Sequence, residues 1–326
     1  MTIAPYLREI GRGAKGARSL SIAAAQDLMG QLLDGRLSDL ETGAFAIAMR
    51  MKGESLDELM GFLQALHERL LPLPSDQPVI AIASYNGARR LPNLVPLLAL
   101  LLARSGARVL VHGPLQDPQR VTTAEVFAAL GAAPALSNGA VASAWRDRGC
   151  AFVPTATLSP ALERLLAVRR VVGLRNSGHT IAKMMQPVRG AACLRLMSHT
   201  HPEFGQLMAD YAERAQAHMG LLRGTEGEAA ADPRRGLRQR LWISGQAQLD
   251  LASDAEPGAL AAPPDLPAID APSTARWIES VLMGHVPVPP SLSLQVRQLM
   301  DAFGRMVAAT REMPAGNVDG GMADSS

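Results

Sequence analysis

Apolar and polar positions follow two different periods along the chain, and the period changes at a proline-rich stretch near residue 75. Before this stretch, apolar residues recur every three or four positions in segments that follow Ser21, Ser38 and Ser55. Serine satisfies the free amides at the start of a helix, and Glu58 has the capping-box spacing from Ser55. Residues 1–72 are therefore predicted to form a small helical domain, for which a scaffold or interface role is the simplest interpretation.

Residues 73–78 are expected to form a hinge, and residues 79–310 an α/β domain. Buried runs at Val79–Ala83 and Ala107–Val111 are each followed by a polar loop and then by a helical pattern, the second of which begins at Thr122. This βαβα order predicts a central, mainly parallel sheet. Ligands of such sheets bind beyond the carboxyl ends of the strands, where both polar loops lie.

The second half of the chain has a less regular pattern. It predicts a helix from Glu203 to Gly220, a short strand at Leu221–Arg223 and an edge strand at Leu241–Ile243. Small and polar residues dominate the end of the chain, so residues 311–326 are predicted to be a disordered tail.

Composition adds a bias toward arginine. Hydrophobic residues make up 48% of the chain and charged residues 19%, which suffices for a substantial core. Only Lys15, Lys52 and Lys183 are lysines among the 32 basic residues. The planar guanidinium suits phosphate and carboxylate groups, although a genomic bias explains the arginines equally well. A net charge of +2 does not require a polyanionic partner, so any basic site has to be local.

Cysteines and apolar runs exclude other classes of protein. Cys150 and Cys193 are the only cysteines, and they provide neither a disulfide framework nor a CxxC metal site. Residues 1–8 are interrupted by polar side chains, unlike a signal peptide. The run Leu94–Ala103 is too short to cross a bilayer. We therefore expect a cytoplasmic protein without membrane contacts.

Three motifs in the N-terminal part point to a family: Arg18-Ser-Leu-Ser21, Arg50-Met-Lys-Gly-Glu54 and Glu58-Leu-Met-Gly61. They resemble the helical-domain signature of the anthranilate phosphoribosyltransferases and type III pyrimidine nucleoside phosphorylases, the glycosyltransferase family 3 fold. The chain resembles the nucleic-acid-binding, YbiB-like branch of this family more closely, up to about residue 310. The resemblance implies that a segment near 165–190 completes the helical domain, that a cleft separates the two domains, and that homodimers form through the helical domain.

The loops that bind diphosphate in these enzymes are altered in this chain. The family's Gly-Thr-Gly-Gly-Asp loop becomes Ser84-Tyr-Asn-Gly-Ala88, and the bulk of Tyr85 and Asn86 opposes the close backbone approach that a phosphate needs. Asn-x-Ser-Thr becomes Asn93-Leu-Val-Pro96, and Lys-His-Gly-Asn-Arg becomes Val111-His-Gly-Pro-Leu115. The positions of these degenerate substrate loops that we single out are Tyr85, Asn86, Gly87, Asn93, His112, Gly113, Thr123, Glu125 and His179.

Two further positions concern the acceptor and the metal of these enzymes. The Arg-Thr-x-x-Asn stretch that positions the aromatic acid becomes Arg175-Asn-Ser-Gly-His179, so its arginine is retained. The Asp-Glu pair that holds magnesium aligns with Ala229-Ala230, while Glu226 and Glu228 lie close enough in sequence to replace it. Several groups that hold phosphoribosyl diphosphate and its metal are therefore missing, and catalysis of this kind depends on such positioned charges.

Arginines at the ligand end of the sheet suggest a longer polyanion instead. Arginines along a groove suit a phosphate backbone and carry little sequence information, and Tyr85 is the aromatic residue best placed to stack on a base. For a single arginine a solvated surface charge is the simpler interpretation, but the group and the resemblance together favour a site. The candidate contacts are Arg89, Arg90, Arg120, Arg175, Lys183, Arg189, Arg234, Arg235, Arg238 and Arg240.

We therefore predict a sequence-nonspecific binder of DNA or RNA without catalytic residues, metal or cofactor. The alternative is a phosphoribosyltransferase with an altered donor or acceptor, which would use magnesium. Two weaker signals are better explained by structural roles. His199 and His201 have no third ligand at a clear spacing for a metal, and Ser177 and His179 have no acid to orient them as nucleophile and base.

Overall fold

The computed structural model describes residues 2–13, 15–224, 226–254 and 264–312, so the predicted tail lies outside the described residues from residue 313 onward. The helices are α1 (Ala4–Ile10), α2 (Ile22–Leu33), α3 (Asp39–Lys52), α4 (Leu56–His67), α5 (Val95–Arg104), α6 (Thr123–Ala129), α7 (Asn138–Arg148), α8 (Thr155–Leu158), α9 (Pro160–Val172), α10 (Ser177–Met184), α11 (Pro202–Arg214), α12 (Ala271–Leu282) and α13 (Pro290–Glu312). The strands are β1 (Leu73–Pro74), β2 (Val79–Ala83), β3 (Arg108–Gly113), β4 (Cys150–Pro154), β5 (Val188–Arg189), β6 (Cys193–His199), β7 (Met219–Arg223), β8 (Arg238–Ile243), β9 (Gln246–Ala247) and β10 (Ser253–Asp254).

The large sheet confirms the predicted α/β fold class. Its strand order is β10-β8-β7-β6-β2-β3-β4, with β9 paired to β8. Strands β4, β3, β2, β6 and β7 are parallel, and β8, β9 and β10 are antiparallel. The prediction that Leu241–Ile243 forms an edge strand is wrong, because β9 covers the outer side of Trp242 and Ile243 while β7 pairs with the inner side.

The N-terminal helices begin where the serine pattern placed them. Ser21, Ser38 and Ser55 each accept a hydrogen bond from a backbone amide in the first turn of α2, α3 and α4. Helices α2 and α4 cross closely at Gly61, where a Cβ atom would lie 2.3 Å from the carbonyl oxygen of Ile22. Only glycine permits this separation, which explains its place in the helical-domain motif.

A buried ion pair joins the second and third of the three motifs of this helical region. The Lys52 ammonium lies 2.6 Å from the Glu58 carboxylate, which also accepts the backbone amides of Leu20 and Ser55. Helices α9 and α10 pack beside α2, α3 and α4. We call this assembly of α1–α4, α9 and α10 the helical unit.

The stretch predicted as a hinge contains a strand. Within it, β1 pairs in parallel with β5, and the Leu73 amide donates to the Pro187 carbonyl. The chain therefore passes through this two-stranded ladder each time it leaves the helical unit, once after α4 and once after α10. Among the described residues, no helix combines the length and the apolar character needed to cross a membrane.

The prediction of a helix over Glu203–Gly220 is wrong at its C-terminal end. Helix α11 ends at Arg214, and Gln216 has a φ of +48°, which turns the chain toward β7. The apolar pattern continues through Met219 and Leu221 because these residues are buried in a strand. Apolar side chains on both sides of a turn therefore concealed the change from helix to strand.

Candidate functional site

A cleft of about 840 Å³ lies between the helical unit and the carboxyl ends of β2, β3 and β6. Its cationic lining consists of Arg50, Arg89, Arg90, Arg120, Arg169, Arg175 and Lys183. Among the described residues, its lining contains only two carboxylates, those of Glu54 and Glu226. This excess of positive charge makes the cleft suited to an anionic ligand.

The two walls of the cleft come from distant parts of the chain. Arg89 and Arg90 follow β2, and Arg120 follows β3, as the sheet topology requires. Arg175 and Lys183 flank or lie on α10 and face them from the helical unit. The structure thus brings together five of the ten cations that the sequence suggested.

Sequence reasoning missed two cations and one aromatic side chain of the cleft, namely Arg50, Arg169 and Phe204. Arg50 belongs to a motif that we interpreted as structural. Arg169 precedes Arg175 in a basic run, which was a usable signal. Phe204 lies on α11, and nothing in the local pattern marks it as a cleft residue.

The cleft cations are crowded. Burial and then the neighbouring Arg169 and Arg120 lower the pKa of Arg175 to about 10. Burial lowers the pKa of Lys183 to about 8; the nearby Glu228 opposes this shift and Arg175 adds to it. Burial, followed by Arg175 and Arg169, lowers the pKa of His179 to about 3, so this histidine is neutral at pH 7. The cleft therefore holds like charges together at a cost that an anionic ligand would offset.

The other predicted cations lie outside the cleft. Arg189 donates to the carbonyls of Gln186 and His67. Arg234 and Arg235 form ion pairs with Asp232 at 3.1 and 3.8 Å.

The last two members of the predicted basic rim lie along β8. The Arg240 guanidinium lies over the Trp242 ring, 5.2 Å from the ring centroid. Arg238 lines two adjoining cavities of about 250 Å³ each, one of them beside Arg235 and the other beside Arg240. These cavities share Thr200 and His199 with the cleft, so the predicted rim adjoins the cleft although its arginines do not line it.

Tyr85 is not a stacking platform, and that prediction is wrong. Its ring is buried, with 7% of its surface exposed. Its hydroxyl lies 3.0 Å from Nδ1 of His112, and the two rings meet edge to face. Burial lowers the pKa of His112 to about 3, so the pair is neutral and part of the core.

The other altered substrate-loop residues bind one another. The Asn93 side-chain amide donates to the Thr123 hydroxyl at 3.0 Å, and this hydroxyl lies 2.7 Å from the hydroxyl of Ser84. Glu125 accepts the amide of Thr122 and completes the capping box of α6. These contacts hold the loops together and leave few of their polar groups for a ligand.

Glu226 and Glu228, the candidates to replace the missing metal ligands, accept hydrogen bonds from backbone amides. We call residues 84–91, which follow β2, the loop bed. Glu228 accepts the amides of Asn86 and Gly87 in this bed, and Glu226 accepts the amides of Arg90 and Leu91. The oxygens of both carboxylates are thus hydrogen-bonded to the loop bed, and the described residues contain no group of three or more His, Cys, Asp or Glu side chains at metal-binding distance.

The two weaker histidine signals have structural explanations as well. Nδ1 of His199 lies 3.0 Å from the carbonyl oxygen of His201, and the described residues bring no third ligand into a group with these two histidines. Nδ1 of His179 lies 3.4 Å from the Asn176 amide and forms part of the capping box of α10.

Comparison with known proteins relates this architecture to one family. Residues 4–70 match the helical bundle domain of a glycosyl transferase family. The uncharacterized protein YbiB of Escherichia coli is 38% identical over 307 residues, which cover 91% of this chain and 93% of YbiB. The structure of anthranilate phosphoribosyltransferase from Thermus thermophilus matches with a TM-score of 0.67 at 19% identity, over 94% of this chain and 99% of that chain. The enzyme from Saccharomyces cerevisiae in complex with PRPP and Mg matches with a TM-score of 0.65 at 12% identity, over 95% and 89% of the two chains.

Proposed function

Since the chain belongs to the anthranilate phosphoribosyltransferase-like family, we propose that it has kept the fold of these enzymes and binds nucleic acid in the cleft. The observation that carries this proposal is the set of seven cations that line one cleft against two carboxylates. Nucleic acid supplies a row of phosphates, which neutralises several cations at once. The proposed ligand is DNA or RNA without a preferred sequence.

The side chains of the cleft favour contacts to the phosphate backbone. Guanidinium groups bind phosphate oxygens in a bidentate manner, and such contacts position a strand without reading its bases. Phe204 is the aromatic residue of the cleft lining that could support a base, since Tyr85 is buried. One aromatic ring cannot read a sequence, which supports nonspecific binding.

The alternative function is phosphoribosyl transfer with an altered substrate and magnesium. The fold supports it, but fold alone does not define an activity. The loop bed opposes it, because Glu226 and Glu228 already accept the backbone amides that would face a diphosphate. The residues present do not fit the metal either, since Ala229 and Ala230 offer no ligand.

Thermal unfolding separates the two functions. We expect a short oligonucleotide at low salt to raise the melting temperature, because a ligand that binds only the folded state stabilises it. Phosphoribosyl diphosphate with magnesium should leave the melting temperature within the shift that magnesium and inorganic diphosphate cause. A clear additional rise with phosphoribosyl diphosphate, without a rise with oligonucleotide, would favour the transferase.

The helical unit also provides a surface for a second copy of the chain. Leu40, Ile47 and Met51 lie on one face of α3 with exposed fractions of 84%, 39% and 71%. Because an apolar stripe on a helix is normally covered, we propose a homodimer through this face. Light scattering should give a dimer for the native protein and a monomer for the Leu40→Glu/Met51→Glu variant. A native monomer would contradict the proposal.

A further inference from the structure

Several backbone amides of the loop bed point toward the segment that contains Glu226 and Glu228. The amides of Asn86 and Gly87 and the Ser84 hydroxyl donate to the Glu228 carboxylate at 2.7, 2.5 and 2.6 Å. Successive amides that point into one concavity form a nest, and such nests bind phosphate groups in many proteins. In this chain a carboxylate occupies the nest.

A second carboxylate extends the same arrangement. Glu226 accepts the amides of Arg89, Arg90 and Leu91 at 3.1–3.3 Å. The five amides bound by the two carboxylates all come from residues 86–91. Two carboxyl groups two residues apart thus take the positions of a doubly charged anion along the bed, and burial raises the pKa of Glu228 there.

The segment that carries the carboxylates fits the bed closely. Gly227 has a φ of +82°, and a Cβ atom there would lie 1.6 Å from Nδ2 of Asn86. Its carbonyl oxygen accepts hydrogen bonds from the Lys183 ammonium at 3.1 Å and from the Ser198 hydroxyl at 2.5 Å. Nδ2 of Asn86 donates to the Glu226 carbonyl at 2.8 Å. These contacts fix the segment in place.

Little space remains beside Glu228, whereas Glu226 also lines the large cleft. The cavity that Glu226 and Glu228 share with Asn93 and Ala230 has a volume of about 40 Å³. A single water needs about 10–15 Å³ by this measure, so the cavity holds a few waters and not a diphosphate.

We propose that residues 86–91 form a phosphate-binding nest that the chain fills with its own Glu228 and Glu226, and that phosphate binds there once the Glu228 side chain is removed. Glu228 is then the residue that excludes small phosphate compounds from the bed. The proposal does not depend on nucleic-acid binding, so it can fail or succeed independently of the proposed function.

The test compares Glu228→Ala with the native protein in inorganic diphosphate and in chloride at equal ionic strength. In chloride, the variant should melt at a lower temperature, because buried amides lose their acceptor. Diphosphate should restore the melting temperature and bind the variant about tenfold more tightly than the native protein, the effect of one charge-assisted hydrogen bond. Equal diphosphate affinity for a folded variant and the native protein would overturn the proposal.

Two further variants and one spectroscopic measurement make the test specific. Glu228→Gln keeps the shape of the side chain and removes the carboxylate, so its diphosphate affinity should lie between those of Glu228→Ala and the native protein. This variant also tests the proposal if the alanine variant does not fold. Glu125→Ala removes a carboxylate that accepts the amide of Thr122 at the same edge of the sheet. Its diphosphate affinity should equal that of the native protein. Diphosphate should shift the amide resonances of Asn86 and Gly87 in the Glu228 variants only. An equal gain in Glu125→Ala, or shifts confined to the cleft arginines, would overturn the proposal.

Discussion

The cleft and the loop bed lie at the same edge of one sheet, yet their charged groups are organised in opposite ways. In the bed, amides are paired with Glu226 and Glu228 of the same chain. In the cleft, cationic side chains greatly outnumber the carboxylates among the described lining residues. The difference underlies both proposals, because the chain pairs the amides of the bed with its own carboxylates and presents positive charge in the adjoining cleft.

The largest expected effect comes from removing cations on the sheet side of the cleft. The triple variant Arg89→Ala/Arg90→Ala/Arg120→Ala should bind an oligonucleotide on the order of 100-fold more weakly, since each exposed contact contributes about 1 kcal/mol. Fluorescence anisotropy measures this loss, and circular dichroism shows whether the variant remains folded.

The matched control for this variant removes two arginines outside the cleft. Arg234 and Arg235 are paired with Asp232, so Arg234→Ala/Arg235→Ala should change the affinity little. If the control variant loses affinity and the triple variant does not, the binding surface lies at the predicted rim and the comparison between cleft and bed loses its functional meaning.

The next effect concerns the bed. Gly227→Ala should lower the free energy of unfolding by about 2–4 kcal/mol, because the added methyl group meets Asn86 and the positive φ disfavours alanine. Chemical denaturation measures the change. Gly304→Ala is a suitable control, since Gly304 lies in α13 with nothing within 4 Å of the added Cβ atom. Equal stability of the Gly227 variant and the native protein would show that the segment is not closely seated on the bed.

The smallest effect is a pH dependence that links the two regions through Lys183. Its pKa of about 8 means that it is charged at pH 7 and largely neutral at pH 9. Raising the pH between these values should therefore weaken oligonucleotide binding by about fivefold, the contribution of one cation. Lys183→Gln should bind equally at both pH values. A native protein with no change between pH 7 and pH 9 would place Lys183 outside the binding surface.

The sequence predicted those parts of the fold that depend on local chemistry. Serine caps at Ser21, Ser38 and Ser55 marked the helix starts, because capping acts within one turn. The end of α11 was missed because Met219 and the residues after it are apolar in a strand as they would be in a helix.

The site was only partly predictable for a different reason. The position of Arg89 and Arg90 after β2 follows from the general rule for parallel sheets. The contact of Glu228 with Asn86 joins residues that are 142 positions apart, and no periodicity records such a pairing. The carboxylates were visible in the sequence, but their hydrogen bonds to the backbone amides of the loop bed required the structure.

The most direct test of nucleic-acid binding in the cleft is the salt dependence of oligonucleotide affinity. Plotting the logarithm of the binding constant against the logarithm of salt concentration should give a slope steeper than about −3, since each phosphate neutralised on a single strand contributes about −0.7. The same slope for oligonucleotides of different sequence would support backbone contacts. A flat line, or no binding at low salt, would contradict the proposal that the cleft binds nucleic acid.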